Sequence, residues 1–159
     1  MRVAGTIKAF DLSTASVGDV IPVGTLAYKK VVVKDATGAN AYAILSGVVT
    51  KPGIVTTGGA LRKNRVRGLL VTSIEKIAGF GDSKWNSKSA NYSYNSCVIT
   101  RFTTATSTGD GVLGQGYEHP AGLTYNVGEE VVTKQFNKTS KQCSKGIHVY
   151  LTRQGAENH

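Results

Sequence analysis

The sequence predicts a mainly β protein, a sandwich or a partly closed barrel with one or two short helices. Two observations support this class. Runs of β-branched and aromatic residues recur along the chain, and the segments between them are rich in the turn residues Gly, Asn, Asp and Thr. Helical periodicity is scarce, and an α+β fold is the alternative.

The first half of the chain predicts a β-hairpin. Residues 26–33 and 41–49 are apolar runs, and residues 35–38 between them have the composition of a turn. Pro52-Gly53 is expected to end the second strand, because proline cannot donate to a strand ladder. The glycine pair in residues 57–59 marks another loop.

The second half predicts a central strand and several shorter ones. Residues 66–74 are the strongest apolar run, which favours a central position in the sheet. Residues 79–91 are expected to be an exposed loop, and residues 92–102 a strand whose first half alternates like a half-buried edge. Residues 103–116 predict a long polar loop of the functional or mobile kind. Residues 123–133 predict two short strands around a glycine turn.

The C-terminal segment predicts a strand and a short helix. Residues 147–151 have high β-propensity, and Thr152 stands where a helix N-cap would, ahead of residues 153–157. His148 lies inside this apolar strand. It is either a buried, hydrogen-bonded structural group or a hydrogen-bond donor or general base that acts on a ligand.

Length and composition bound the class of protein. The length of 159 residues predicts a single domain, residues 1–159. A composition of 40% hydrophobic and 18% charged residues is typical of a globular protein. No run approaches 18 apolar residues, so no membrane helix is expected. Residues 1–20 lack the pattern of a signal peptide, and we expect a protein that stays in a cytoplasm.

Neither a metal nor a cofactor is predicted. Cys97 and Cys143 are too few for a disulfide framework and are expected to be reduced, buried thiols. The three histidines are too far apart for a metal-ligand motif. Glu129 and Glu130 are adjacent and would point to opposite faces of a strand, which argues against paired-carboxylate chemistry.

The net charge of +9 is concentrated in one quarter of the chain. Residues 61–101 hold eight bases against Glu75 and Asp82. Such a concentration attracts anions, and a solvated basic face is the alternative. The eight bases are Arg62, Lys63, Arg65, Arg67, Lys76, Lys84, Lys88 and Arg101.

The densest part of this segment is residues 62–67. On a strand, Arg65 and Arg67 would share one face while Val66 takes the other, and paired guanidiniums suit bidentate contact with phosphate. The alternative is an edge strand whose charges prevent edge-to-edge aggregation.

Cationic and aromatic residues alternate after this strand. A surface of this kind can stack a base while lysines hold phosphate, and the alternative is that Trp85 anchors the core. The residues concerned are Lys84, Trp85, Lys88, Tyr92 and Tyr94.

Short elements along the whole chain match one family pattern. They are Tyr28-Lys29, Lys63-Asn64-Arg65-Val66, Tyr125-Asn-Val-Gly-Glu129, Phe136-Asn137 and the closing Cys143-x-x-Gly-Ile-His148 with Thr152-Arg153 and Ala156. On these residues the chain resembles a domain family of bacteriophages, large DNA viruses and some bacteria, in which the domain sometimes follows pentapeptide repeats. The resemblance implies a phage source and brings no established activity. Asn64 and Val149-Tyr150 depart from the pattern, which has a cysteine and two aromatic residues there.

A second likeness is weaker. Residues 87–92 resemble the serine segment of poly-ADP-ribosyltransferases, and residues 146–150 resemble the strand that precedes that segment in those enzymes. In this chain the two occur in the reverse order and far apart. A transferase or nucleotide-cleaving enzyme is therefore the third hypothesis only.

The leading hypothesis is a phage-encoded, non-catalytic binding protein in the host cytoplasm. Its basic, aromatic-bearing surface would take a nucleotide, including a host defence signalling nucleotide, or nucleic acid. The runner-up is a virion structural or assembly protein. A homo-oligomer is expected, because small β-rich proteins with exposed edges often assemble. The proposed ligand-binding residues are Arg62, Lys63, Arg65, Arg67, Lys84, Trp85, Lys88, Tyr92, Tyr94, Arg101 and His148.

Overall fold

The computed structural model describes residues 10–78, 98–107, 123–133, 136 and 146–157. These residues form one curled, half-barrel sheet and a short helix, which confirms the predicted mainly β, partly closed barrel. The elements are β1 (Val20–Ile21), β2 (Leu26–Lys34), β3 (Asn40–Ile54), β4 (Asn64–Ile77), β5 (Ile99–Phe102), β6 (Thr104–Ser107), β7 (Thr124–Asn126), β8 (Glu130–Val132), β9 (Ile147–Val149) and α1 (Arg153–Glu157).

The predicted hairpin is confirmed as the antiparallel pair β2–β3, which closes at Lys34 opposite Asn40. Asp35 forms the turn: its Oδ1 accepts hydrogen bonds from the Thr37 amide at 2.8 Å, the Thr37 hydroxyl at 2.6 Å and the Ala39 amide at 3.1 Å. Gly38 takes φ 86°, a conformation that favours glycine. The turn chemistry thus fixes the register of the two longest neighbouring strands.

The prediction that Pro52-Gly53 ends the second strand is wrong, because β3 continues to Ile54. A register shift between Val49 and Lys51 marks a bulge, and bulges are where strands tolerate proline. A Cβ at Gly53 would collide with the carbonyl oxygen of Arg65 on the next strand. Glycine therefore permits the close approach of β3 and β4 at this point.

Strand β4 is the centre of the sheet, as the apolar run 66–74 predicts. One side pairs with β3, and the other side pairs with β9, β8 and β5 in turn along its length. The chain passes from β5 to β6 through Thr103 alone. In the strand order β5-β4-β3-β2-β6-β7, however, β6 pairs with β2, three strands away from β5. This short passage curls the sheet.

The prediction of a polar loop over residues 103–116 is wrong for residues 104–107, which form strand β6. Thr104–Ser107 form a strand in which Ala105 is buried, and this strand pairs with both β2 and β7. Its polar sequence has no core-forming pattern, so neighbouring strands rather than its own side chains stabilise it. Residues 108–116 lie outside the described part of the chain.

The two short strands predicted in residues 123–133 are confirmed as β7 and β8, with Gly128 between them at φ 91°. They do not pair with each other, since β7 pairs with β6 and β8 with β4. The Gly128 amide donates to the Val71 carbonyl at 2.8 Å, and the Val71 amide donates to the Glu129 carbonyl at 3.1 Å. The turn is therefore attached directly to the central strand.

The apolar core fills the inner face of the curled sheet, and α1 covers part of the outer face. Thr152 caps the helix as predicted, its Oγ1 accepting from the Gly155 amide at 3.1 Å. Ala156 packs with Ile44 and Ile77 on the outer face. No helix in the described residues is long and apolar enough to cross a membrane. The inner core includes Val31, Val33, Ala43, Leu45, Val49, Val66, Leu69, Val71, Ile74, Tyr125, Ile147 and Val149.

Candidate functional site

The basic segment 62–67 does not form the exposed pair of guanidiniums that the sequence predicts. Arg67 is exposed, whereas Arg65 is 0% exposed and its Cζ lies 5.3 Å from the centre of the Phe136 ring. β9 pairs with β4 here and places His148 directly opposite Arg65, and burial lowers the pKa of the Arg65 guanidinium. Arg65 is thus a buried residue of the fold. The prediction that Arg65 and Arg67 form one exposed surface is wrong.

Asn64 closes the loop that precedes β4. Its Oδ1 accepts from the Thr56 amide at 2.8 Å, and its Nδ2 donates to the carbonyls of Ala60 at 3.1 Å and Arg62 at 2.9 Å. The Thr56 hydroxyl donates to the Lys63 carbonyl at 2.6 Å. Buried polar groups require such partners, so the side chain is a structural amide. Arg62 is exposed and Lys63 half-buried on this loop.

His148 is 3% exposed on β9. Its carbonyl accepts a hydrogen bond from Lys29 Nζ at 2.8 Å. Nearby, Tyr28 and Tyr150 exchange two backbone hydrogen bonds of 2.7 Å. The ring of His148 therefore lies beneath the surface, and its proposed role as a hydrogen-bond donor to a ligand stays a prediction.

Several residues that match the family pattern lie close together here, although they are distant in sequence: Lys29 donates to the His148 carbonyl, and His148 pairs opposite Arg65. Gly146 takes φ 146°, and a Cβ there would lie 3.0 Å from Phe136 and 3.2 Å from the Arg65 Cβ. Glycine is required by both the backbone conformation and the space. We call Tyr28, Lys29, Arg65, Phe136, Gly146 and His148 the closing cluster; Arg65, Gly146 and His148 are buried, and the other three residues are half-buried.

The described cations of residues 61–101 do not share one concavity. Arg101 forms an ion pair with Glu75 at 3.0 Å and its side chain is 73% exposed. Glu75 lies ten residues from Arg65 on the same strand, which separates them by roughly 30 Å. The predicted residues Lys84, Trp85, Lys88, Tyr92 and Tyr94 lie outside the described part of the chain.

The structure instead combines cations, an aromatic ring and an amide on the outer face of the β2–β3 hairpin. Lys30 Nζ lies 4.2 Å from the centre of the Tyr42 ring. Val32 is paired with Tyr42 and Lys34 with Asn40, so these side chains project from the same face. We call Lys30, Val32, Lys34, Asn40 and Tyr42 the hairpin face.

A concavity of about 300 Å³ opens on this face, lined by Val32, Asn40, Ala41 and Tyr42. Tyr42 is 39% exposed, which leaves ring surface for a ligand. Asn40 and Lys34 are exposed beside it. The arrangement can stack a planar group and neutralise a nearby anion.

Strand alternation explains why this face forms. Odd-numbered Val31, Val33 and Ala43 enter the core, so the even-numbered residues face outward. Asp35 is the only acid in residues 26–54, and its carboxylate is engaged by the turn. The hydrogen bond from the Thr37 hydroxyl is the main reason why the pKa of Asp35 is lowered.

Sequence reasoning missed the hairpin face because it weighed charge by segment, and residues 61–101 hold the larger surplus. The signal was available in the predicted hairpin. Pairing the two strands across the 35–38 turn places Lys30 and Lys34 on the same face as Asn40 and Tyr42.

Fold and site together define a curled β half-barrel with a basic, aromatic-bearing hairpin face. No family model, curated protein or solved structure matches the chain, and the phage-domain resemblance stays a prediction. The described residues contain no group of His, Cys, Asp and Glu arranged to hold a metal.

Proposed function

We propose that the protein is a non-catalytic binding protein that takes the nucleotide unit of an anionic ligand on its hairpin face. The observation that carries this proposal is Lys30 at 4.2 Å from the ring of Tyr42, a residue that also lines an open concavity. A protein of this kind would act in the host cytoplasm, where such ligands are present.

The physical basis is the combination of a stacking surface with a fixed cation. A base stacked on an aromatic side chain contributes about 1–3 kcal/mol, and every base has a face suited to it. Lys30 and Lys34 supply positive charge on either side of Tyr42, and the Asn40 amide can both donate to and accept from a base edge. The five residues of the hairpin face include neither a carboxylate nor an imidazole to serve as a general base, which favours binding over catalysis.

Titration calorimetry with nucleotides and short oligonucleotides at low salt tests the proposal. Tyr42→Ala is expected to weaken binding about 5- to 150-fold, the equivalent of one lost stack. Tyr42→Phe, which keeps the ring, is the matched control and is expected to bind like the wild type. The absence of binding heat with every nucleotide and oligonucleotide, or equal affinity of Tyr42→Ala and wild type, would refute the proposal.

A second candidate function is assembly into a virion, and a different surface favours it. Val17, Val20, Val23 and Leu26 are all exposed along one short segment. Leu26 also lines a small, mainly apolar groove, and exposed apolar surface of this kind is commonly covered in an assembly. Mass spectrometry of purified particles tests it: stoichiometric presence supports the assembly role, and absence excludes it. A homo-oligomer could cover the same surface.

The enzymatic alternative is tested separately. Purified protein incubated with NAD and with cyclic nucleotides is expected to leave them intact under the binding proposal. Turnover that follows the protein through purification would replace that proposal with an ADP-ribosyltransferase-like or nucleotide-cleaving activity.

A further inference from the structure

We infer that the hairpin face binds a single-stranded oligonucleotide laid along the hairpin, and that a mononucleotide is only a weak ligand of it. This inference rests on the proposed function and specifies its ligand. Three features of the face support it: its openness, the linear spacing of its lysines and the single aromatic ring between them.

The face is open because it belongs to two strands of one sheet. Pockets for small molecules commonly enclose 70–90% of their ligand within walls on several sides. Among the described residues, those that line the concavity all come from the β2–β3 hairpin, and α1 covers the outer face at Ile44, the cross-strand partner of Lys30. A mononucleotide would therefore bury one side of its base and keep most of its surface in water, which corresponds to a dissociation constant of roughly millimolar order.

The lysines are arranged in a line. Lys30 and Lys34 are four residues apart on β2, which places their Cα atoms about 13 Å apart along the strand. Tyr42 pairs with Val32, midway between them. Successive phosphates of a stacked strand are about 3.4 Å apart along the axis, so a separation of 13 Å corresponds to about four nucleotides. A polymer with one base on Tyr42 has phosphates on both sides of that base, whereas a mononucleotide has them on one side only.

The two ends of the face differ. At the end near the turn, the Asp35 carboxylate is engaged in its own hydrogen bonds with Thr37 and Ala39, so a strand can continue past it. At the other end, α1 packs on Ile44, the cross-strand partner of Lys30, so a bound strand would have to leave the sheet there. The net charge of +9 also attracts a polyanion over a longer range than it attracts a single nucleotide.

Fluorescence anisotropy with labelled oligo-dT of two, four, eight and twelve nucleotides tests the inference, with dTMP as competitor. We expect affinity to rise at least tenfold from two to about eight nucleotides and then to level off, since single-strand sites span about 4–16 nucleotides. Lys34→Gln is expected to reduce the slope of log affinity against log salt by about 0.7, the contribution of one phosphate contact to a single strand. Lys51→Gln, an exposed lysine far along β3, is the control and should leave the slope unchanged.

The outcomes separate the inference from the proposed function. If dTMP binds as tightly as every oligonucleotide, the inference is overturned and the proposed function stands. If neither dTMP nor any oligonucleotide binds, both the inference and the proposed function are refuted. If affinity rises with length but Lys34→Gln and Lys51→Gln lower the salt slope equally, the strand does not lie along the hairpin face and the inference is overturned. Covalently closed duplex DNA that binds as well as single-stranded DNA would also overturn it, because both faces of its bases are covered by neighbouring base pairs and cannot stack on Tyr42.

Discussion

The hairpin face and the closing cluster contain the same chemical pair, a cation against an aromatic ring, in opposite environments. Lys30 lies 4.2 Å from the ring of Tyr42, which is 39% exposed. Arg65 lies 5.3 Å from the ring of Phe136 and is 0% exposed. The pair alone therefore does not define a binding site. What decides its role is whether other parts of the chain cover it.

In the closing cluster, Phe136 lies against the Arg65 guanidinium, and β9 pairs beside β4 at Asn64–Val66. No described element pairs over the hairpin face in the same way, because α1 stops at the part of the outer face around Ile44. The Arg65 guanidinium is fully buried and suited to packing, whereas the Lys30 side chain is half-buried beside an exposed ring. The comparison predicts that substitutions in the two regions affect different properties.

The largest expected effect is that of Arg65→Ala on stability. Removing a fully buried side chain leaves a cavity beside Phe136 and His148, and we expect the free energy of unfolding to fall by about 3–5 kcal/mol. Lys30→Ala, at the exposed pair, should cost at most about 1 kcal/mol. Denaturant unfolding of the two variants measures the contrast. Equal losses would show that burial does not distinguish the two regions.

Arg65→Met sharpens this prediction, because it keeps most of the side-chain volume and removes the charge. If packing is the main role of Arg65, this variant should recover much of the stability that Arg65→Ala loses. If Arg65→Met is as unstable as Arg65→Ala, the charge of the guanidinium is the more important property.

A smaller effect is expected at Asn64, which borders the closing cluster. Asn64→Ala leaves the buried Thr56 amide without its acceptor and the carbonyls of Ala60 and Arg62 without that donor. We expect a loss of about 2–3 kcal/mol in the free energy of unfolding. Asn40→Ala, the matched change on the exposed hairpin face, should stay within about 0.5 kcal/mol of the wild type. A neutral Asn64→Ala would contradict the structural role of the amide.

The regions also differ in how far the sequence predicts them. The hairpin follows from local information: β-branched alternation in residues 26–33 and 41–49, and Asp35 with Gly38 in the turn. The continuation of β3 through Pro52 does not follow from local information, because the bulge that tolerates the proline exists only in the register of β3 against β4. Likewise, β6 is stabilised by its neighbours β2 and β7, which its Thr- and Ser-rich sequence does not reveal.

The candidate site divides in the same way. Arg65 has the sequence context of a phosphate-binding residue, and the residues that lie against it, Phe136 and Gly146, come much later in the chain. Asn64 is conspicuous only once the loop from Thr56 is folded back onto it. The hairpin face, by contrast, requires only a correct hairpin register, so sequence reasoning could have found it. Local register is predictable from a sequence, and coverage by distant strands is much less so.

The smallest expected effect concerns Asp35 at the tip of the hairpin, and it depends on pH. Hydrogen bonds from the Thr37 hydroxyl and amide lower the pKa of Asp35 below its ordinary value of 3.8, so the folded state favours the ionised carboxylate. This contribution to stability is fully present above the unfolded pKa and is lost as the pH falls through the lower folded pKa. The Asp35→Ala variant should therefore be less stable than the wild type at pH 5–7, and the difference should shrink as the pH falls below about 4. Asp35→Asn keeps the acceptor oxygen without titrating, and its turn should show no such pH dependence. Denaturant unfolding across this range measures both variants, and a difference between Asp35→Ala and wild type that grows toward low pH would contradict the role given to the carboxylate.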